Sequence, residues 1–354
     1  MRLPDEDQQA LREACREVLC EHSVSATVRR IAESMTGHDE QLWKLTAELG
    51  WTALAVPGDA GGLGGSACDV AVVAEEYGRV VQPSLLPQTL AVAWVAARHA
   101  ASWALLGGIA SGEVIASWAL GEPGGSDAVS LDSALRLDGR RDYVPDGQCA
   151  THVVVRAGER LVAVPLGVAG VSVTPMSTMD ITRRYSRVTF AGVQAEPDWL
   201  VGGADAVTDL YGVGVVAQCA ESSGVATRLL DMTVTYAGQR AQFGRPIGSF
   251  QAIKHRIADM LIEVEGCRVA TRQAAEALDA GTGVAEAVSI AKSWVGRAAS
   301  YVASHALQIH GGLGFSWEHD LHLYLRRAKV NELLLGTPNW HDERLAAGIV
   351  GDLR

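Results

Sequence analysis

The chain has 354 residues, 48% of them hydrophobic and 20% charged, enough apolar side chain for a large core shared among two or three domains. Its net charge of −11 argues against nucleic acid and against an anionic membrane surface, and no apolar run reaches the length of a bilayer span. Six cysteines (15, 20, 68, 149, 219 and 267) show neither metal-ligand spacing nor a disulfide framework. The acidic start MRLPDEDQQALREACREVL lacks a signal-peptide core, so a reduced cytoplasmic compartment is the expectation.

Residues 4 to about 112 read as helices. Leu11, Cys15, Val18 and Leu19 form one apolar face, and Leu42, Leu45 and Leu49 form another that ends at Gly50. The glycine-rich stretch from Leu54 to Gly65 lacks the Gly-Lys-Ser/Thr ending of a phosphate loop and reads as a connection. A helix restarts over Asp69–Arg79, and an Ala/Val/Trp-rich helix is expected over 88–106. From Ser111 the period changes to short β-rich runs: Val114–Leu120, Val153–Val155, Leu161–Val164, Val171–Val173 and Arg187–Phe190. Turn residues such as Asp138-Gly139, Ala157-Gly158 and Gly167 separate them. That pattern predicts a small β-barrel or sandwich ending near Gly203. From Asp205 the chain reads as helical to its end, with four long helices. The expected fold is mainly α with a central β-domain: an N-terminal helical domain (1–112), a small β-barrel (113–203) and a C-terminal four-helix bundle (204–354).

One stretch organises the rest. Tyr236–Gln251 reads YAGQRAQFGRPIGSFQ. A helix runs into it, Gly244, Pro246 and Gly248 break the backbone, and a second helix leaves from Ser249, a candidate N-cap. Arg240 at the end of the first helix, with Gln242 and Phe243 just beyond, sets a planar cation, an amide and an aromatic beside exposed backbone. Those groups suit the diphosphate and adenosine of a dinucleotide. A solvated helix cap is the plainer reading of the same residues.

YAGQRAQFGRPIGSFQ resembles the segment that marks the acyl-CoA dehydrogenase family, with its R-x-x-F-G core and the following F-Q intact. Gln308 to Phe315 (QIHGGLGF) resembles the same family's Q-x-x-G-G-x-G-F turn. Members are FAD-dependent enzymes that desaturate acyl-CoA thioesters between Cα and Cβ. The resemblance implies that both elements reach across to the FAD held mainly by a neighbouring subunit. Arg240 is then the residue that forks onto the diphosphate, Gln242 and Phe243 line the adenosine side, and Gln251 belongs to the same segment. Gln308, Gly311 and Gly312 let backbone N–H groups approach the cofactor, because glycine has no Cβ in the way.

The elements that hold the flavin ring within a subunit depart from the family. LGEPGGSD, Leu120–Asp127, resembles the T-E-P-x-x-G-S-D loop with Gly121 in place of Thr; Ser126 remains as a donor to flavin or thioester. The family's W-I-T-N becomes Tyr143-Val-Pro-Asp146. Tyrosine can still stack, but Pro145 offers neither hydroxyl nor N–H toward flavin N5.

Desaturation needs a carboxylate over Cα. A positioned general base alone accounts for about 10²–10⁴ in rate. The family's R-D-A-K-x-x-x-x-x-E-G-T reads here from Arg326 to Thr337 as RRAKVNELLLGT, which puts Leu335 at the base position. Some relatives carry the base 26 residues before the Arg of R-x-x-F-G; the ungapped position here is Gly214. The acids left nearby are Asp209, Glu221 and Glu332. Glu332, one turn from Leu335, is the weak candidate for a relocated base, and the alternative for it is an ion pair with Arg326 or Arg327.

What such a chain would lend to a neighbour's flavin is kept, and what it would need for its own is eroded. The resemblance therefore implies a heteromeric acyl-CoA dehydrogenase, similar to actinobacterial α2β2 enzymes that oxidise CoA thioesters of steroid side chains. A homologous subunit supplies the base and holds the flavin ring, and this chain completes the FAD site. Two alternatives stand beside it: a homotetramer with a relocated base, and a flavin-free binding or scaffold protein on the same fold.

Overall fold

The computed structural model describes residues 6–99, 105–123, 125 and 128–352. Among the described residues, the helices before the first strand are α1 (Glu6–His22), α2 (Ser25–Glu33), α3 (Glu40–Glu48), α4 (Ala67–Arg79), α5 (Leu86–His99) and α6 (Leu105–Ala110). The apolar face that includes Leu11 belongs to α1, where Cys15 and Leu19 are buried. Asp39 caps α3 by accepting from the Leu42 N–H at 3.0 Å. The helix expected over 88–106 is described over α5 and again from Leu105 in α6; residues 100–104 lie outside the described residues. The glycine-rich connection after Leu54 is a tight turn. A Cβ on Gly62 would sit 2.0 Å from the Val56 carbonyl oxygen, so backbone runs directly against backbone there.

The central strands form two four-stranded sheets. One has the order β1 (Ala116–Ala119), β4 (His152–Ala157), β5 (Arg160–Pro165) and β8 (Leu200–Gly202), with β1 and β4 parallel. The other is antiparallel, in the order β2 (Val129–Leu131), β3 (Arg136–Pro145), β7 (Tyr185–Gln194) and β6 (Val171–Met176). One apolar core takes side chains from both sheets, Val153, Val155, Val162 and Val164 from the first and Leu137, Val144, Val188 and Phe190 from the second. β3 escapes a reading by periodicity because RLDGRRDYVP is mostly polar and carries two register shifts against β7, so Asp138-Gly139, expected as a turn, lies inside a strand; β2 has only three residues.

The rest is helical: α7 (Ala204–Gln239), α8 (Gln251–Ala280), α9 (Val284–His310), α10 (Leu321–Leu333) and α11 (Pro338–Asp352), with a two-residue hairpin, β9 (Ala241–Gln242) and β10 (Arg245–Pro246), between α7 and α8. Three of these helices are long, at 36, 30 and 27 residues. Ser249 is not the cap of α8. The helix starts at Gln251 after Phe250, and the Ser249 hydroxyl donates instead to the Pro246 carbonyl at 2.7 Å.

The chain divides into two compact units: Met1–Ser25 with Ala71–Gln82 and Gln218–Arg354, and Ala26–Val70 with Pro83–Ala217. In the first, α1 is tied to the end of α4 by Arg16 on Glu76 (2.7 Å) and Arg12 on Glu75 (2.8 Å). There α4 also crosses α7 at backbone distance. A Cβ on Gly224 would lie 1.9 Å from the Glu75 carbonyl oxygen, and one on Gly78 would lie 2.1 Å from that of Glu221. Among the described residues no helix is long and apolar enough to cross a membrane.

Candidate functional site

The site is built from two helix ends of the first unit. At the end of α7 the Arg240 N–H donates to the Tyr236 carbonyl at 2.8 Å, and the Arg240 carbonyl accepts from Ile247 N at 2.8 Å. The chain then turns through β9 and β10, with Gln242 opposite Arg245 and Ala241 opposite Pro246. Phe243 (φ +53) and Gly244 (φ +77) form the loop, both in the left-handed region that a two-residue hairpin of this kind demands. Glycine adopts that conformation freely, whereas phenylalanine pays about 1–2 kcal/mol for it. The strained ring is also 92% exposed, edge-on to Phe250 at 6.2 Å between centroids, and the Arg245 guanidinium lies 4.1 Å over Phe250.

The second helix end is that of α9. Gln308 is exposed on its last turn, and Gly311 stops the helix at φ +59, ψ −138, a conformation that favours glycine. Around a Cβ placed on Gly311 or Gly312 there is open space, so a ligand has access to the backbone at both. Gly314 differs: a Cβ there would meet Leu307 Cδ1 at 3.0 Å, and its role is packing.

Two rings join these ends. Tyr236 stacks on buried His310 with centroids 4.4 Å apart and planes 19° apart, and the Tyr236 hydroxyl donates to the His310 carbonyl at 3.4 Å. The stretch around Arg240 and the turn around Gly311 are therefore neighbours. Arg240, Gln242, Phe243, Gln251, Gln308, Gly311 and Gly312 are all exposed. The side chains of Arg240 and Gln308 make no hydrogen bond or ion pair with a described residue. Ser126 lies outside the described residues.

The position that the resemblance assigns to the base holds Leu335, which is no acid. Leu335, between α10 and α11, is 5% exposed at φ +58, and its carbonyl accepts from His341 Nε2 at 3.1 Å. Burial pushes the His341 imidazole down to about 4. Gly214 is buried within α7. Each remaining acid is engaged. Asp209 accepts from His99 at 2.8 Å beside Arg98, and Glu221 pairs with Arg327 at 2.6 Å. Glu332 accepts from Ser300 and pairs with Lys329. Arg327, expected as a partner for Glu332, is committed to Glu221, and the Arg326 guanidinium lies over Trp317 at 5.3 Å. In the second unit, Tyr143 is 45% exposed at φ +57, Asp146 is buried, and the Pro145 carbonyl accepts from the Ser117 hydroxyl at 2.6 Å.

Sequence reasoning missed the Tyr236–His310 stack and the His341 clamp on Leu335. The first was hidden because each ring sits inside a motif whose other residues drew the attention. The second depends on a helix end closing on its own neighbour, which no periodicity reports.

A family model described as acyl-CoA dehydrogenase, N-terminal domain, matches residues 5–113, and one described as acyl-CoA dehydrogenase, C-terminal domain, matches residues 202–350. Acyl-CoA dehydrogenase IpdE2 of Mycobacterium tuberculosis is 37% identical over 338 residues, 95% of each chain. Among solved structures, a chain of the ChsE4-ChsE5 complex from Mycobacterium tuberculosis has a TM-score of 0.92 at 28% identity over 99% of both chains. A chain of the Tcur3481-Tcur3483 steroid ACAD has a TM-score of 0.92 at 30% identity, covering 98% of this chain and 99% of that one.

Proposed function

Because the chain belongs to the acyl-CoA dehydrogenase family, we propose that it is the non-catalytic subunit of a heteromeric FAD-dependent acyl-CoA dehydrogenase. It completes a flavin site held mainly by a homologous partner. The carrying observation is a contrast. The exposed Arg240 and Gln308, unpartnered among the described residues, lie on two joined loops, while Leu335 stands where the family's pattern has its base and Asp209, Glu221 and Glu332 are each ion-paired.

FAD fits these residues as an outer wall. Arg240 is free to fork onto its diphosphate, Gln242 and Phe243 present an amide and a ring to the adenosine side, and the open space at Gly311 and Gly312 admits close approach of the backbone. Gln251, the first residue of α8, lies next along the same segment. When bound, FAD supplies the two-electron acceptor for desaturation of the thioester. This chain's residues bind and orient it; the Cα proton goes to a carboxylate on the partner. An exposed apolar set on the same unit, with Leu313, Phe315 and Trp317 beside the Gly311 turn, is the kind of surface a homologous subunit covers. The two solved relatives, the ChsE4-ChsE5 complex and the Tcur3481-Tcur3483 steroid ACAD, each pair two proteins by name, which supports a partner, and one of them is named a steroid enzyme. An acyl-CoA with a steroid or fatty acyl group, in an α2β2 assembly, is the proposed context.

The test is flavin stoichiometry. The chain alone should carry little FAD, and co-purification with a homologous partner should occupy half of the sites. Arg240→Ala in that complex should weaken FAD binding about 10- to 150-fold, the loss expected for a charge-assisted bidentate contact. An isolated chain that carries one FAD per polypeptide and desaturates a thioester would overturn the proposal. A complex with no flavin would support the scaffold reading instead.

A further inference from the structure

Three aromatic rings run in a column through the site: Tyr236 in the last turn of α7, His310 at the end of α9, and His319 in the segment before α10. Tyr236 and His310 are stacked at 4.4 Å, and His319 meets His310 edge-on at 5.0 Å. His310 Nδ1 lies 2.8 Å from the Ala306 carbonyl, which can only accept, so Nδ1 carries the proton and donates. Burial also holds the His310 imidazole below its ordinary value.

None of the three rings needs to touch a ligand to matter. Arg240 follows Tyr236 by four residues, and its N–H is bonded to the Tyr236 carbonyl. Gly311 follows His310 directly and is capped onto Leu307. The backbone on either side of the stack is thus the backbone that carries the two candidate cofactor contacts. From this we infer that the Tyr236–His310 stack is a positioning strut that sets the separation of the Arg240 hairpin from the Gln308–Gly312 turn, and so tunes how tightly the dinucleotide is held without contacting it. The inference rests on the reading of those two loops as FAD contacts.

The test uses the complex with the partner and reads FAD affinity by flavin fluorescence, turnover per bound flavin, and thermal stability. His310→Ala and Tyr236→Ala should each raise the FAD dissociation constant about three- to tenfold, the worth of an aromatic pair converted to affinity. The double variant should do no more than the worse single one, because either change removes the whole stack. His310→Phe and Tyr236→Phe keep the rings and should restore binding to within about twofold of the unsubstituted complex. Turnover per bound flavin should be unchanged throughout. Arg240→Ala separates the two levels. If it weakens FAD binding while both alanine variants lower thermal stability and leave affinity untouched, the strut is refuted and the site stands. If Arg240→Ala also has no effect, the loops are not cofactor contacts and the strut falls with them.

Discussion

Glu221 is the acid whose removal says most about the bundle and about the missing base. It sits on α7 at 2% exposure, with Arg327 of α10 at 0% exposure 2.6 Å away and Asn331, one turn further along α10, donating to its second oxygen at 2.9 Å. Glu221→Ala would strand a guanidinium that has no route to water. Breaking a buried pair from one side costs about 3–5 kcal/mol, a large part of the 5–15 kcal/mol that holds a typical domain folded. Removing both charges is different: Glu221→Leu with Arg327→Met replaces the pair by apolar volume and should cost far less than the two single changes together. Urea denaturation followed by far-UV circular dichroism measures all arms of this cycle. Turnover per folded complex is the second readout, since Glu221→Gln should change it less than about threefold, against 10²–10⁴ for loss of a general base. A cycle in which each single change costs under about 1 kcal/mol, or a Glu221→Gln complex that is folded and dead, refutes the structural assignment of this acid.

Glu332→Gln should likewise leave turnover within about threefold, because its carboxylate is already taken by Ser300 and Lys329; a hundredfold fall in a folded complex would make it the relocated base. His341 gives a pH signature. Its folded value of about 4 lies below the ordinary 6.5, so the unfolded chain takes up the proton first as pH falls. The stabilisation is whole above about pH 6.5 and is lost toward pH 4, amounting to about 3 kcal/mol in the unsubstituted protein. Denaturation midpoints measured across that range should lose most of this slope in His341→Gln, and an unaltered slope would show that another group carries it. Gly224→Ala places a Cβ 1.9 Å from the Glu75 carbonyl and should cost at least about 1–3 kcal/mol by driving α4 from α7, seen as a fall in melting temperature; a neutral result would mean the crossing is looser than it stands.

The helical parts of this fold were legible in the sequence because their signals are local. Leu11, Cys15, Val18 and Leu19 repeat at helical spacing, and α1 follows from them. Of the strands that escaped, β3 owes its order to pairing with distant β7 and its polar composition gives no alternation to read, while β2, paired with β3, is only three residues long. At the site, Arg240, Phe243 and Gly311 could be named in advance because their motif is a string. What could not be named was how the strings meet, since Tyr236 and His310 lie 74 positions apart. The ion-pair partners were equally hidden: Arg327 has acids within reach on two helices, and only the folded bundle assigns it to Glu221.

The polar groups of the first unit fall into two kinds, and the difference bears on what the unit is for. Glu221, Arg327, Asn331 and Lys292 are buried and bonded to one another or to their neighbours, so the fold itself requires them. Arg240 and Gln308 are exposed and bonded to nothing described, so the fold would stand without their side chains. The hairpin that follows Arg240 nevertheless keeps a phenylalanine in a left-handed conformation and 92% exposed, two costs set against one edge-on contact with Phe250. A side chain on which the fold does not depend, set on a loop strained to present it, has its energetic justification in something outside the polypeptide. Leu335 makes the converse case: buried, clamped through its carbonyl by His341 and unable to accept a proton, it contributes to packing alone. Exposed side chains without internal work, and a leucine with only internal work where the family's pattern has its acid, are what the proposed subunit, holding a cofactor for a neighbour, would need.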